Sequence, residues 1–307
     1  MTTPNAEGLL TVPYVGVAEF RAAPTWLDTN DLIEGGVQAA QDAELYNTLL
    51  KASGWAWSFC GQPLHAHTAT ENLRCRVNRR GQAFIHPSNN PVRRVTGIAF
   101  GPDPSIMTVM TDLSGVWIED QRGIVVSMVP VNGAFLGSLQ FGSVPPPVIE
   151  TYVTIQYVAG YGNTYLTAPA AAVATQLTVA DPTGFVPPQT SVFGTQTGAS
   201  IARIWEPGVE EAVKVDSTYT AGSNPLKLAS GLTNAHTVGA QVSEFPPDAR
   251  EAVIAYAVSL LLREDAGDEE PYPGSPGPTA RRSASGGKGG GLIEEAERLL
   301  MPFRRTR

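Results

Sequence analysis

Residues 244–262, Glu-Phe-Pro-Pro-Asp-Ala-Arg-Glu-Ala-Val-Ile-Ala-Tyr-Ala-Val-Ser-Leu-Leu-Leu, limit the possible folds more than any other stretch. Pro246 and Pro247 end whatever precedes them, because proline has no backbone donor to offer. Asp248 stands where a helix cap is wanted, and Glu251 follows at capping-box spacing. Across 252–262 only Ser259 is polar. On a helix, Val253, Tyr256 and Leu260 share one face, and Ile254, Val258 and Leu261 another, whereas a surface helix shows a single apolar stripe. The run falls short of the roughly twenty predominantly apolar residues of a membrane span, and Asp248, Arg250 and Glu251 flank it. The expectation is a helix packed on two sides. One side meets its own domain; the other meets a neighbouring subunit or, in the plainer reading, more of the same core.

A second helix is expected over residues 38–59. Leu45, Leu49, Ala52, Ala56 and Phe59 recur at three- and four-residue steps and form one stripe, flanked by Trp55 and Trp57. Gly61 and Pro63 end it. Tryptophans this close on one helix usually anchor a core or an interface. Residues 11–22 give a short helix at most. Residues 23–36 read as an ordered loop pinned by Trp26, Leu27, Leu32 and Ile33.

From residue 73 to 158 the period changes to two. Strands are expected at 73–77, 82–86, 94–100, 106–110, 116–119, 124–128 and, most clearly, 149–158, where Ile149, Thr151, Val153, Ile155 and Tyr157 face one way. Residues 132–148 read as a long loop. Residues 165–243 are rich in Thr, Ala, Val, Gly and Pro, with short strand candidates throughout. They read as a small all-β module inserted into a host loop, where an insertion costs little. The expected fold class is thus α+β, with a helical core, an antiparallel β region and an inserted β domain.

Residues 271–291 are Pro, Gly, Ser and basic residues, a linker composition. Residues 292–307 form a short helix and a basic end. From 271 onward there are seven basic and three acidic residues in a chain whose net charge is −8. A basic end on a linker binds something outside its own domain. The overall acidity argues against gripping nucleic acid, because grip comes from neutralising phosphates. The N-terminus has neither a basic region nor an apolar run, so no signal peptide and no membrane segment are expected, and folding in a cytoplasm is.

Chemistry-bearing residues are sparse. His65 and His67 would face one way on a strand, and His86 could approach them, a conceivable metal pair. No Cys or carboxylate stands at ligand spacing beside them. Cys60 with His65 or His67 makes an imaginable nucleophile and base, but Cys60 sits at a helix end, where a small buried apolar residue is the ordinary role. Cys60 and Cys75 are too few for a disulfide framework; they could pair, but two reduced thiols are expected. Residues 286–291 lack the strand and the Ser/Thr of a phosphate loop. Asp181 and Asp216 hold turn or strand-end positions without a calcium-loop pattern. Neither a catalytic constellation nor a cofactor is expected, which leaves assembly or binding.

Several segments, in order and spacing, resemble the head-to-tail adaptor (connector) proteins of long-tailed bacteriophages, those of actinobacteria especially. They are Val12-Pro-Tyr-Val-Gly-Val-Ala-Glu-Phe-Arg-Ala-Ala-Pro-Thr-Trp, Gln41-Asp-Ala-Glu-Leu-Tyr-Asn-Thr-Leu-Leu, Pro91-Val-Arg-Arg-Val, Val116-Trp-Ile-Glu-Asp, Tyr157-Val-Ala-Gly-Tyr, Pro246-Pro-Asp-Ala-Arg-Glu-Ala and Ala296-Glu-Arg-Leu-Leu-Met-Pro-Phe-Arg-Arg. The likeness spans residues 11–164 and 244–307 and supplies no role for the insert. It places an adaptor core, helices plus the β region, at 1–164 and 244–270. It also implies a ring, commonly of twelve copies, in the virion neck beneath the portal protein. A tail or further neck protein would bind the other side, and DNA would pass through the channel without sequence-specific binding. An acidic wall suits such a channel. In that setting Val253, Tyr256, Leu260, Leu45 and Trp55 serve core or subunit packing. Leu299, Leu300, Phe303, Arg304, Arg305 and Arg307 form an arm that reaches the portal or a neighbouring copy. The competing reading is a binding or adhesion protein whose insert takes a glycan or receptor, with Trp205 and Tyr219 as platforms.

Overall fold

A computed structural model describes residues 10–25, 27–30, 32–77, 82–119, 124–128, 149–190, 196–197, 200–265 and 290–305. The loop expected at 132–148 lies outside the described residues, as do Trp26, Arg307 and most of the linker expected at 271–291. No described helix is long and apolar enough to cross a membrane.

Strands dominate, and the expected helical core is corrected accordingly. The helices are few: α1 (Val17–Ala22), α2 (Gln38–Cys60), α3 (Pro247–Asp265) and α4 (Gly290–Leu300), followed by a 3-10 turn at Met301–Phe303. They pack as one layer of the molecule. Two of the three buried apolar clusters are built from strands and their turns. The helix periods were legible; what they concealed is that the intervening period-two segments bury cores of their own.

α2 stops where Gly61 adopts φ 67°, a left-handed C-cap whose N–H bonds back to the carbonyl oxygens of Trp57 and Ser58. Its start has no side-chain cap. Instead the buried Gln41 amide holds the preceding loop, donating to Ile33 O at 2.8 Å and accepting from Ile33 N at 2.9 Å. A polar staple therefore pins this loop together with its apolar side chains. α3 begins two residues earlier than the capping-box reading placed it, with Pro246 rather than Asp248 at the cap position. Pro247 is its first residue, Ala249 and Arg250 donate to Pro246 O, and Asp248 lies inside the first turn. There its charge complements the helix dipole rather than capping the end.

The period-two region folds as β1 (His67–Val77), β2 (Gln82–Ile85), β3 (Val92–Asp103), β4 (Ile106–Val109), β5 (Val116–Glu119), β6 (Ile124–Met128) and β7 (Ile149–Ala159). They make one antiparallel sheet in the order β4-β3-β7-β1-β2-β6-β5. β4 and β5 are the two edges, yet only six residues join them. A flat sheet would hold its edges about 29 Å apart, six strand spacings of roughly 4.8 Å. A six-residue link spans at most about 25 Å. The sheet must therefore roll up, and it does. β3 touches β5. Ala69, Cys75, Ile85, Ile98, Phe100, Val153, Ile155 and Tyr157 fill the inside.

Gly160 ends β7 with φ 93°, and a Cβ there would lie 2.2 Å from His65 O. Only glycine fits this exit. The chain then enters a second β unit through β8 (Asn163–Tyr165), a strand absent from the sequence reading. β12 (Ile201–Trp205), β13 (Glu211–Lys214), β15 (Gln241–Ser243) and β8 form a sheet ordered β13-β12-β15-β8. β9 (Gln176–Leu177) pairs with β14 (Leu226–Lys227), and β10 (Gln189–Thr190) with β11 (Gln196–Thr197). Their apolar cluster draws only on residues between Leu166 and Val242. β15 leads directly to α3.

Candidate functional site

The helical layer presents the most distinctive surface. α3 lies between α2 and α4. Ala249, Ala252, Val253 and Ala257 are sealed, as are Leu45, Leu49, Ala52 and Ala56 of α2. A second set remains partly covered: Trp55 and Phe59 on α2, and Ile254, Tyr256, Leu260, Leu261 and Leu262 on α3. Trp55 stacks flat on Tyr256, with ring centroids 3.9 Å apart and planes at 3°, and stacks on Phe59 at 5.6 Å. The Arg304 guanidinium lies over the Phe59 ring at 5.2 Å. A ladder Arg304–Phe59–Trp55–Tyr256 thus crosses two helices at the edge of the apolar core. Each aromatic pair adds about 0.5–1.5 kcal/mol beyond its buried area.

Of the packing residues named from the sequence, Leu45 and Val253 are interior, while Trp55, Tyr256 and Leu260 belong to the partly covered set. The C-terminal arm lies on its own chain. Leu300 and Ala296 are fully buried in the helical core, and Leu299 and Phe303 pack against it. Gln62 Nε2 donates to Phe303 O at 2.8 Å, and Arg305 N to Cys60 O at 2.9 Å. The arm thus fills one side of α3. The side chains of Arg304 and Arg305 stay exposed. Beside them opens a cleft of about 440 Å³ lined by Trp57, His67, Glu71, Asn72, Asn89 and Arg305. Glu71 is committed there, accepting the Tyr157 hydroxyl at 2.6 Å and the Ser88 N–H at 3.0 Å.

The histidines do not converge on a metal. Burial, reinforced by His67, pushes the His65 imidazole down to about 4, which keeps it neutral. Its Nδ1 lies 3.4 Å from the Tyr14 hydroxyl, its ring sits 6.0 Å from that of His67, and His86 is exposed. Among the described residues no group of three His, Cys, Asp or Glu is placed to hold a metal ion. Cys60 and Cys75 are both free and buried, in different clusters. Burial pushes the Cys60 thiol up to about 12 and the Cys75 thiol up to about 11. Neither supplies thiolate at neutral pH. Asp181 and Asp216 bind the backbone N–H two residues on, as turn formers do.

Two charged junctions, invisible in the sequence, fix the insert to its host. Arg93 of β3 donates to Glu244 at 2.6 Å, to Ser200 Oγ at 2.9 Å and to Gly184 O at 3.3 Å, and Gly162 N donates to the other Glu244 oxygen. Burial raises the Glu244 carboxyl, and Arg93 opposes it. In the second junction Arg250 of α3 pairs with Glu19 of α1, donates to Gln241 at 3.1 Å and lies over the Trp205 ring. Arg203 lies over the same ring at 5.0 Å. Trp205 is thus enclosed between cations, and Tyr219 is 3% exposed. Neither aromatic is an open platform. Glu19 stands among apolar neighbours, but Arg250 lies in the charged run Asp248-Ala-Arg-Glu, so neither sequence context points to their pairing.

Compared with known proteins, the chain matches no family model, no curated protein and no solved structure.

Proposed function

We propose that this chain is a structural, non-catalytic subunit of a bacteriophage neck, a head-to-tail adaptor that assembles with copies of itself into a ring between portal and tail. The expected helical core is not carried forward, because the chain is mostly antiparallel sheet. One observation carries the proposal. Seven large apolar side chains, Trp55, Phe59, Ile254, Tyr256, Leu260, Leu261 and Leu262, remain partly covered on two adjoining helices after the chain has added its own arm. A neighbouring copy would complete their burial, and a heterologous contact of this kind closes into a ring when its rotation permits. DNA would pass through the ring without being read, and the chain's acidity favours sliding over holding.

The test is the mass of the full chain in solution, by sedimentation and native mass spectrometry. The expected result is a closed ring that Leu261→Lys dissociates while the melting of each subunit stays within about 1 kcal/mol of the parent. A monomer at every concentration, or a ring indifferent to Leu261→Lys and Tyr256→Ala together, would sink the proposal.

A further inference from the structure

The side chain of His236 is wholly buried in the insert. Its Nδ1 lies 2.9 Å from Oε2 of Glu206, just after β12, and its Nε2 lies 2.8 Å from Oε1 of Glu211, the first residue of β13. Both carboxylates are held by further donors. Glu206 accepts the Thr237 hydroxyl at 2.6 Å and the Thr237 N–H at 3.2 Å. Glu211 accepts the N–H of Thr233 at 2.8 Å and of Asn234 at 3.0 Å. The main chain of His236 exchanges hydrogen bonds with Ala170. One ring therefore fastens residues 206–211 to 232–237. Glu206 and Glu211 are the charged groups that face it, and the third neighbour, Ala170, offers only backbone.

Each ring-to-carboxylate contact needs a proton. Either an imidazolium donates to two carboxylates, or a neutral imidazole donates to one and accepts from a carboxylic acid. Burial raises both carboxyls. The bonds from Thr237 and His236 outweigh it on Glu206, and those from Thr233, Asn234 and His236 outweigh it on Glu211, so both end below the usual carboxylate range. In either arrangement the three groups share two protons, and the loss of one sets two lone pairs face to face.

We propose that His236 with Glu206 and Glu211 is a proton-controlled latch, which closes residues 206–211 onto 232–237 while the three share two protons and which opens this end of the insert when one of them is lost. The ring then turns a lone pair toward a carboxylate lone pair, so one of the two contacts becomes repulsive. The latch needs no assumption about assembly.

Nitrogen-15 NMR of the imidazole, with amide exchange, tests this on the full chain. While the latch is closed, each ring–carboxylate contact should show a bridging proton. When one of these protons is lost, exchange at Thr233, Asn234 and Thr237 should gain about tenfold over the change seen at Val242, the worth of one charge-assisted hydrogen bond. In His236→Gln that extra gain should vanish. A ring–carboxylate contact without a bridging proton in the closed state would overturn the latch, as would loss of a proton with no extra exchange. The ring spectrum is read on the native protein, so the outcome stands even if His236→Gln folds poorly.

Discussion

Replacing Glu19 with Ala tests whether charge locks three parts of the molecule together. Arg250 is 2% exposed. Both Glu19 oxygens meet it, through Nε at 2.9 Å and through Nη2. Nη2 also reaches Gln241 in β15, the guanidinium lies 4.4 Å from the centre of the Trp205 ring, and Nη1 has no hydrogen-bond partner. Without Glu19 the cation keeps only one amide oxygen and one indole face. Escape by neutralisation is closed, because a guanidinium does not give up its proton in a protein. Breaking such a pair costs about 3–5 kcal/mol, a large part of a domain's total of about 5–15 kcal/mol. Removing both charges is a different perturbation. Glu19→Leu with Arg250→Met replaces a buried pair by apolar volume, which is commonly neutral or better. Urea unfolding followed by circular dichroism and tryptophan fluorescence should show a large loss for Glu19→Ala and return of the double variant to within about 1 kcal/mol of the parent. A loss under about 1 kcal/mol for Glu19→Ala would mean that Arg250 is solvated. A double variant as weak as the single would mean that packing, not charge, holds the junction.

Other parts of the structure predict further outcomes. His65 is held neutral, with its value lowered from 6.5 to about 4, so the unfolded chain binds more protons between those limits. Stability should therefore fall as pH drops through that window, by up to about 3 kcal/mol, and His65→Gln should flatten the slope in acid melts. Gly160→Ala puts a Cβ 2.2 Å from His65 O at φ 93° and should cost about 2 kcal/mol or more in urea melts. Deleting residues 290–305 uncovers the sites of Ala296 and Leu300 and should cost about 3–5 kcal/mol. Arg304→Glu with Arg305→Glu should leave thermal stability nearly unchanged, and an equal loss in both would disprove the packing assignment.

The sequence made the periods legible and left the partners hidden. α2 and α3 could be read because apolar residues recur at helical steps, and Gly61 and the two prolines punctuate them. The alternation at 149–158 marked β7 for the same reason. Which strands pair, and that the sheet rolls, depends on contacts between separate segments of the chain, such as β1 with β7 and β3 with β5. The balance of helix and sheet was misjudged because short strands carry too few residues to show a period, β8 being missed altogether, yet the strands of the insert bury a core of their own. The arm was read as reaching the portal or a neighbouring copy because a linker composition precedes its basic end. Its amphipathic face, Leu292, Ala296, Leu299 and Leu300, instead finds α2 and α3 of its own chain. Polar clamps such as Gln41, Arg93–Glu244 and Glu206–His236–Glu211 leave no periodic trace.

The size of the uncovered apolar surface decides how a subunit contact could be built. A large apolar or aromatic side chain offers about 150–250 Å², and these seven are mostly covered already. What they leave open is on the order of 300 Å², while a stable interface takes about 800 Å² from each partner. The ladder is therefore too small to be an interface and the right size to be the centre of one. Met301, 57% exposed and touching Arg304 at 3.8 Å, extends it at one end. The rest must be polar rim, where exclusion of water rather than attraction is the contribution. It follows that Leu261→Lys, which drives a charge into the centre, should act far more strongly on assembly than any single rim change. A contact in which rim substitutions dominated would have its energetic centre elsewhere on the molecule.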